Sequence, residues 1–495
     1  MSTARKVLSN TAVQMLGQLT TAGVAIVILK LISSYLGASG YGAYTTVYSF
    51  LAFFAIIADF GIFQITVKEM SAHPEKRAEI FGNIFALRIC LSLFAMLASV
   101  ATAFIIPKYT GTPIPLGIAI ASATTFLTIV FGTLSSLLQV DLRMQWNALG
   151  LVASKFVALG WMLATIFKYF PDNPEAGFFQ LLIAGIVGGI FQVAIVLWAA
   201  RGDELKLRFD FRFWKEILIK TLPYGGAVLL ATIYVRLDVI LLSLMRNSTE
   251  VGIYGVAARV MENLAVISIL FLNSTLPAVS RLFRTNKERL KKMLQYSFDF
   301  LSIIALPIVV GGSVLAYPIV ALVSSPEFLS NPATGFYGSD LALQILLFTM
   351  LLAYFGNLLG FALLAGNAQL KLFYVNSSAV VFNLVLNLAV IPFWGFRGAA
   401  VASVASQIFV CTLDYIFLRK IIDITFNLRT TIKATIAAAV MGSAVWWLEP
   451  IFLNFLGPNK GVLLLIPVGG LVYGLMLLLL RAITPEMRAL LRKQA

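Results

Sequence analysis

Long apolar runs separated by short polar stretches dominate this chain. Fourteen runs of about 22 to 33 residues are each long enough to cross a hydrocarbon core of roughly 30 Å. They fall near residues 10–36, 43–70, 83–106, 114–138, 146–170, 176–201, 218–245, 251–283, 295–324, 338–366, 370–391, 396–420, 429–455 and 460–482. Lipid cannot satisfy exposed backbone groups, and the runs are far too long for barrel strands, so every span is predicted to be a helix. The expected class is an all-α polytopic membrane protein with about 14 transmembrane helices.

The polar stretches are not equivalent. The chain is 60% hydrophobic over 495 residues, with 37 Lys and Arg and a net charge of +15. Of those cations, 27 fall in every second loop. They include Arg5 and Lys6, Lys68, Lys76 and Arg77, and Arg143. Two six-cation clusters lie at 201–220 and 281–292, and the rest are Lys371, Arg419 to Lys433, and Arg481 to Lys493. The alternate loops hold five: Lys108, Lys168, Arg246, Arg397 and Lys460. Such asymmetry over short loops places the basic side, and both termini, in the cytoplasm of a cell (cytoplasmic) membrane. The positive charge then reports orientation and contact with anionic membrane lipids, and no nucleic-acid partner is expected. The first apolar run is too long for a cleavable signal. Cys90 and Cys411 fall inside spans as apolar fillers, and His73 is the single histidine. No metal site or cofactor is expected.

The longest basic linker divides six helices from the next six, which suggests lobes at 1–205 and 206–425, with helices 13–14 and a tail at 426–495. The halves echo each other. Tyr41-Gly42-Ala43-Tyr44 matches Val251-Gly252-Ile253-Tyr254, with glycine read as permitting a tight external turn. Phe170-Pro171 before helix six echoes Ile391-Pro392 before helix twelve. Two six-helix lobes related by a pseudo-two-fold repeat suit an alternating-access transporter.

A further set of segments carries a family resemblance. Gly37 to Tyr44, then Ala58-Asp59-Phe60-Gly61-Ile62, Arg236-Leu237-Asp238, Ala258-Arg259-Val260 and Leu276-Pro277-Ala278-Val279-Ser280-Arg281 occur in order. Leu306-Pro307 follows, then Asn383, Asn387, Gly395 and Gly398 to Ala400 with Ala402. Over about residues 1 to 420 the chain resembles the polysaccharide-transport, or oligosaccharide, flippases of the multidrug/oligosaccharidyl-lipid/polysaccharide (MOP) exporter superfamily. The resemblance implies that it turns a polyprenyl-diphosphate-linked oligosaccharide from the inner to the outer leaflet for surface polysaccharide biosynthesis. Partners would be that lipid-linked oligosaccharide, membrane lipids, H+ or Na+, and other polysaccharide-assembly membrane proteins.

Charges at membrane depth cost a few kcal/mol, about 2.5–3.5 each on insertion scales, so each one asks for a role. The cations are Lys30, Arg88, Lys155, Arg236 and Arg259; the acids are Asp59, Asp238, Glu262, Asp299 and Asp414. A diphosphate needs donors, and the arginine fork suits phosphate oxygens. Arg259, Arg236, Lys155 and Arg88 are therefore the candidate substrate cations. In helix eight, Glu262, Asn263, Val266, Asn273 and Pro277 fall within roughly 60° of Arg259 at 100° per residue. That makes a polar wall, although Arg259 and Glu262 at i and i+3 are also spaced to pair. Arg236 and Asp238 point to roughly opposite sides of helix seven. Pro223-Tyr224-Gly225-Gly226 ahead of them suits either a helix break or close helix packing. Asn10, Gln14, Gln18 and Thr21 share one side of helix one, whereas Lys30 snorkels to headgroups. Arg88 either snorkels or meets the diphosphate on entry. Asp59 is either a counter-ion or a proton carrier, and Asp238 and Glu262 are the other cavity or coupling acids.

Moving two negative charges outward across 100 mV, inside negative, is favourable by about 4.6 kcal/mol. A multidrug, organic-cation antiporter of the same superfamily would favour a net acidic cavity, whereas here buried cations at least match buried acids. A glycan polymerase or ligase would need catalytic acids on a sizeable loop; the longest external one, 324–339, carries a single carboxylate, Glu327.

Overall fold

The computed structural model describes residues 3–200 and 205–482. Arg201 and the tail cations Arg488, Arg492 and Lys493 lie outside the described residues, and the side chains of Arg5, Lys6 and Asn10 are likewise not described. Among the described residues there is no strand beyond one isolated bridge, Asn331 to Phe336. Among the described residues, thirteen helical stretches are long and apolar enough to cross a membrane. The first, Thr20–Ala72, runs 53 residues. At 1.5 Å per residue it is about 80 Å long, room for two crossings. It bends at Gly37, whose φ of 67° and ψ of −177° are open only to glycine. The fourteen expected spans are thereby accounted for.

Two compact units make up the chain, Met1–Gly252 and Ile253–Ala495. The first holds α1 (Thr3–Asp59), α2 (Ile62–Ala72), α3 (Arg77–Ile105), α4 (Ile114–Val140), α5 (Gln145–Ala164), α6 (Pro174–Ala199) and α7 (Phe211–Met245). It also takes in the first turn of α8 (Ser248–Thr285). Its core sets Ile62 and Met70 of α2 against Phe81, Ile84 and Leu87 of α3, Leu134 and Leu138 of α4, and Val196 of α6. The unit extends past the basic linker because α7 packs along α1. The linker itself is fastened to α3: Arg208 N–H donates to the Gly82 carbonyl, and Asp210 N–H to Asn83 Oδ1.

Close packing, rather than a turn or break, explains several glycines. Gly42 and Gly252 are helical, not the turn residues expected of them. A Cβ on Gly42 would lie 1.7 Å from the Ser248 carbonyl oxygen, and one on Gly252 would lie 2.0 Å from that of Ala38. The two echoed glycines therefore let α1 and the start of α8 touch backbone to backbone. Likewise α7 runs unbroken through the Pro223–Gly226 segment, and Gly225 sits where a Cβ would meet the Phe60 carbonyl at 2.3 Å.

The second unit holds the remainder of α8 with α9 (Lys287–Val314), α10 (Ala316–Val323), α11 (Ser339–Ala365), α12 (Gln369–Trp394), α13 (Phe396–Ile422), α14 (Arg429–Leu456) and α15 (Pro458–Leu479). The expected ninth span is split at Leu315, because Pro318 has no N–H to continue the ladder. Helices α14 and α15 pack on α9 through Ala434, Ala437, Ala438, Met441, Val445 and Leu465. Gly442 brings α14 so near α9 that a Cβ would sit 2.6 Å from a Val310 methyl.

Candidate functional site

The sharpest polar feature of the first unit joins two residues that the sequence offered separately. Arg88, near the middle of α3, donates from Nη2 to Asp59 Oδ1 at 2.5 Å. The arginine side chain is only 4% exposed, whereas that of Asp59 is 41% exposed. The guanidinium is thus walled in while its counter-ion opens to the exterior of the unit. Arg88 Nε and Nη1 are both buried and have no hydrogen-bond partner. Leaving charged donors unmatched at this depth costs about 1–3 kcal/mol each, so the arrangement demands a reason.

Local backbone geometry places the acid. Asp59 is the last residue of α1, and the chain then passes through left-handed conformations at Phe60 (φ 33°) and Gly61 (φ 71°) before α2 begins. Glycine takes such angles freely, but a phenylalanine there is strained by about 1–3 kcal/mol. This break interrupts the expected second span, 43–70. It ends α1 with its negative dipole end beside the Arg88 cation. Gly132 of α4 faces the guanidinium, since a Cβ there would lie 3.9 Å from Arg88 Nη2. The sequence signal for the break was Gly61 directly after an acid at mid-span; the pairing across 29 residues left no signal in local spacing.

In the second unit the predicted stripe on α8 is accessible. Arg259, Val266, Asn273 and Pro277 are exposed, and Glu262 and Asn263 half-buried. Ser268, Leu272 and Val279, roughly 140–180° away around the helix, are buried. Arg259 Nη1 donates to Glu262 Oε2 at 3.2 Å, so the i, i+3 pair forms. Its arginine is 53% exposed, which makes the pair worth little to stability. The Asn263 side-chain nitrogen is buried without a partner.

The remaining predicted residues lie on α1, α5 and α7. Lys155 on α5 and Arg236 on α7 are half-buried, while Asp238 is buried, consistent with Arg236 and Asp238 pointing apart. On α1, Gln14 is half-buried and Gln18 exposed. Among the predicted residues, the structure pairs Arg88 with Asp59 and Arg259 with Glu262, with Asn263 on the same face of α8. Sequence reasoning passed over the polar contact from α12 to α13, where Asn383 Nδ2 donates to Ser406 Oγ at 3.2 Å, and the bond within α12 from Asn387 Nδ2 to the Asn383 carbonyl at 2.9 Å. Among the described residues no cluster of His, Cys, Asp and Glu could hold a metal ion.

Comparison with known proteins gives these features a context. The chain is 22% identical over 476 residues to "Probable flippase AglR" of Haloferax volcanii, covering 94% of each. It is 23% identical over 475 residues to a probable low-salt glycan biosynthesis flippase of that organism, covering 93% of each. Its fold matches that of the lipid II flippase MurJ, solved in an inward closed conformation, with a TM-score of 0.74 at 15% identity, over 95% of this chain and 98% of that one. An inward-facing multidrug resistance transporter of the MOP superfamily also matches, with a TM-score of 0.64 at 17% identity, over 85% and 98%. A lipid II flippase and a multidrug resistance transporter thus share this fold. The model of the polysaccharide biosynthesis protein family matches residues 7–283, more than half of the length, and the chain belongs to that family.

Proposed function

We propose that the protein is a flippase that carries a polyprenyl-diphosphate-linked oligosaccharide from the inner to the outer leaflet by alternating access, for surface polysaccharide assembly. The observation that carries this reading is Arg88, whose buried guanidinium spends one edge on Asp59 and keeps Nε and Nη1 unmatched. Each is one arm of a guanidinium fork whose shared arm is Nη2, so release of Asp59 from Nη2 opens a bidentate fork to phosphate oxygens. Asp59 neutralises Arg88 when no substrate is present, and its exposure lets it be displaced when a diphosphate arrives. Arg259 would bind the same headgroup at another stage, exchanging Glu262 for phosphate along the accessible stripe with Asn263 and Asn273. Lys155 and Arg236 add positive potential, and Gln14 and Gln18 offer hydrogen bonds to sugar hydroxyls.

Organic-cation export fits less well. Asp59 and Glu262 are already matched by arginines, so the groups left over beside these two pairs, Arg88 Nε and Nη1 and the Asn263 amide nitrogen, are donors, which suit an anion. The named relatives are flippases, which favours the same choice. We place the basic loops and both termini on the cytoplasmic side of the cell membrane, facing anionic lipid. Assembly with other polysaccharide-synthesis membrane proteins, and coupling to H+ or Na+, belong to the same proposal, as do lobes near 1–205 and 206–425 with 426–495 outside the repeat. The test is export in cells carrying Arg88→Ala or Arg259→Ala at wild-type membrane levels. Lipid-linked oligosaccharide should accumulate on the inner leaflet in both; unimpaired export in both would remove these arginines from the mechanism.

A further inference from the structure

Helix α13 carries a second polar feature, deep in the second unit, that the substrate scheme leaves unused. Taking 100° per residue from Ser403, the side chains of Ser406, Gln407, Cys411 and Asp414 fall within roughly 140° of helix circumference and span about 16 Å of rise. Ser403, Ser406, Gln407 and Asp414 are buried, and Cys411 is half-buried. Asp414 is 3% exposed, and its Oδ1 is buried without a hydrogen-bond partner.

The cations of α13 are committed elsewhere. Arg419 lies 3.9 Å from Asp423, and the Lys420 ammonium sits over the Phe417 ring. From α12, Lys371 also lies over Phe417, and Tyr374 is exposed. From α11, Tyr354 donates to the Leu264 carbonyl, and Asp340 accepts from Ser330 at the far end of the helix. Tyr415 donates to the Ile424 carbonyl. The titratable group left beside Asp414 is the Cys411 thiol, one turn back, which donates to the Leu352 carbonyl of α11. Among the described residues, Asp414 has no counter-charge.

A carboxylate buried in a span with no cation and no donor is not a stable resident, whereas the neutral acid is. A hard metal cation would ask for several charged oxygen ligands, and among the described residues no group of His, Cys, Asp and Glu gathers around Asp414 to supply them. The chemistry that fits is a proton.

We propose that Asp414 is a proton-binding site that links transport to the proton gradient. The carboxylate takes a proton from hydronium, leaving water and the neutral carboxylic acid; later in the cycle the acid returns that proton to water on the opposite side. The polar face of α13, with Tyr254 and Ser403 hydroxyls 3.2 Å apart and Asn383 on Ser406, supplies the hydrogen-bonding groups through which water reaches the acid. The cycle rests on the flippase reading above, but the proton site does not.

Two measurements keep those separate. The first uses purified protein and a hydrophobic carbodiimide, which takes the proton of a carboxylic acid in apolar surroundings and is then attacked at its central carbon by the carboxylate oxygen, giving an O-acylisourea. Mass spectrometry should find Asp414 labelled, with labelling falling as pH rises and absent in Asp414→Asn. An unlabelled Asp414 in the wild type would overturn the proposal whatever the protein transports. The second uses proteoliposomes and a fluorescent polyprenyl-diphosphate disaccharide. For one coupled proton, the leaflet distribution ratio should shift about tenfold per unit of imposed pH difference. Asp414→Asn, of matched shape, should flip the probe with no such shift, and Asp414→Glu should restore it. A wild-type shift that persists in Asp414→Asn, or one driven by a sodium gradient and lost in that variant, would overturn the proton site. Flipping at the protein-free rate alongside carbodiimide labelling would sink the flippase reading and leave the proton site standing.

Discussion

Replacing Arg88 by lysine isolates what the guanidinium fork does. The substitution keeps the positive charge beside Asp59 but removes the planar arrangement of N–H groups, since an ammonium is a point charge. Arg88 has two N–H edges, Nε and Nη1, unspent in the resting protein. If both meet phosphate oxygens, two charge-assisted hydrogen bonds of about 1.5 kcal/mol each are at stake, together about 3 kcal/mol. At about 1.4 kcal/mol per decade this is a loss on the order of a hundredfold in translocation of a lipid-diphosphate sugar at subsaturating substrate. Folding should suffer less, because lysine still reaches toward a carboxylate that is 41% exposed and so screened. The assay is initial translocation rate in proteoliposomes, normalised to correctly inserted protein, with thermal unfolding in detergent as the control. A rate within about threefold of wild type would refute the fork argument, because it would leave at most about 0.7 kcal/mol for the two bonds.

Asp59→Asn should act in the opposite sense on folding: it leaves an enclosed cation without its counter-charge and should cost about 1–3 kcal/mol in thermal stability, less than the roughly 3–5 of a fully enclosed pair. Arg259→Ala should leave stability within about 1 kcal/mol of wild type while abolishing export, since its pair with Glu262 is exposed; an equal loss of folded protein would assign Arg259 a structural role. Gly42→Ala and Gly252→Ala should each destabilise by at least about 1–3 kcal/mol, read as a lower melting temperature, because the added carbon falls 1.7 Å and 2.0 Å from carbonyl oxygens. With Cys90 and Cys411 replaced, an impermeant maleimide should label Thr334→Cys in intact cells and Glu288→Cys only after permeabilisation; the reverse pattern would invert the proposed orientation.

The spans were legible because lipid imposes a length and an apolar composition that short-range sequence records directly. Most of their ends agree with the helices to within a few residues. Helices α1, α3, α7 and α9, however, begin six to eight residues earlier, in polar turns that apolar length does not register, and backbone geometry intervened at Gly61 and at Pro318. The role of Gly42 and Gly252 was less legible. Glycine serves both turns and close approach, and only the partner helix decides which. The α8 stripe was readable from helical period alone, because exposure follows the face that period defines. The Arg88–Asp59 pair was not, since it depends on a helix break that turns α1 toward α3, and pairing across separate helices leaves no spacing rule in the chain. Asp414 stood in the sequence as one acid among several; its lack of a counter-charge became visible once its neighbours on α11 and α12 were placed.

The central claim is that this protein carries an anionic lipid headgroup past buried arginines. It is tested most directly by reconstituting purified protein into vesicles with a fluorescent polyprenyl-diphosphate oligosaccharide and following its accessibility to a membrane-impermeant quencher. The account predicts rapid exchange between leaflets, lost when the diphosphate is replaced by a neutral linker and reduced about a hundredfold in Arg88→Lys. Exchange no faster than in protein-free vesicles, or equally fast with the neutral linker, would contradict it.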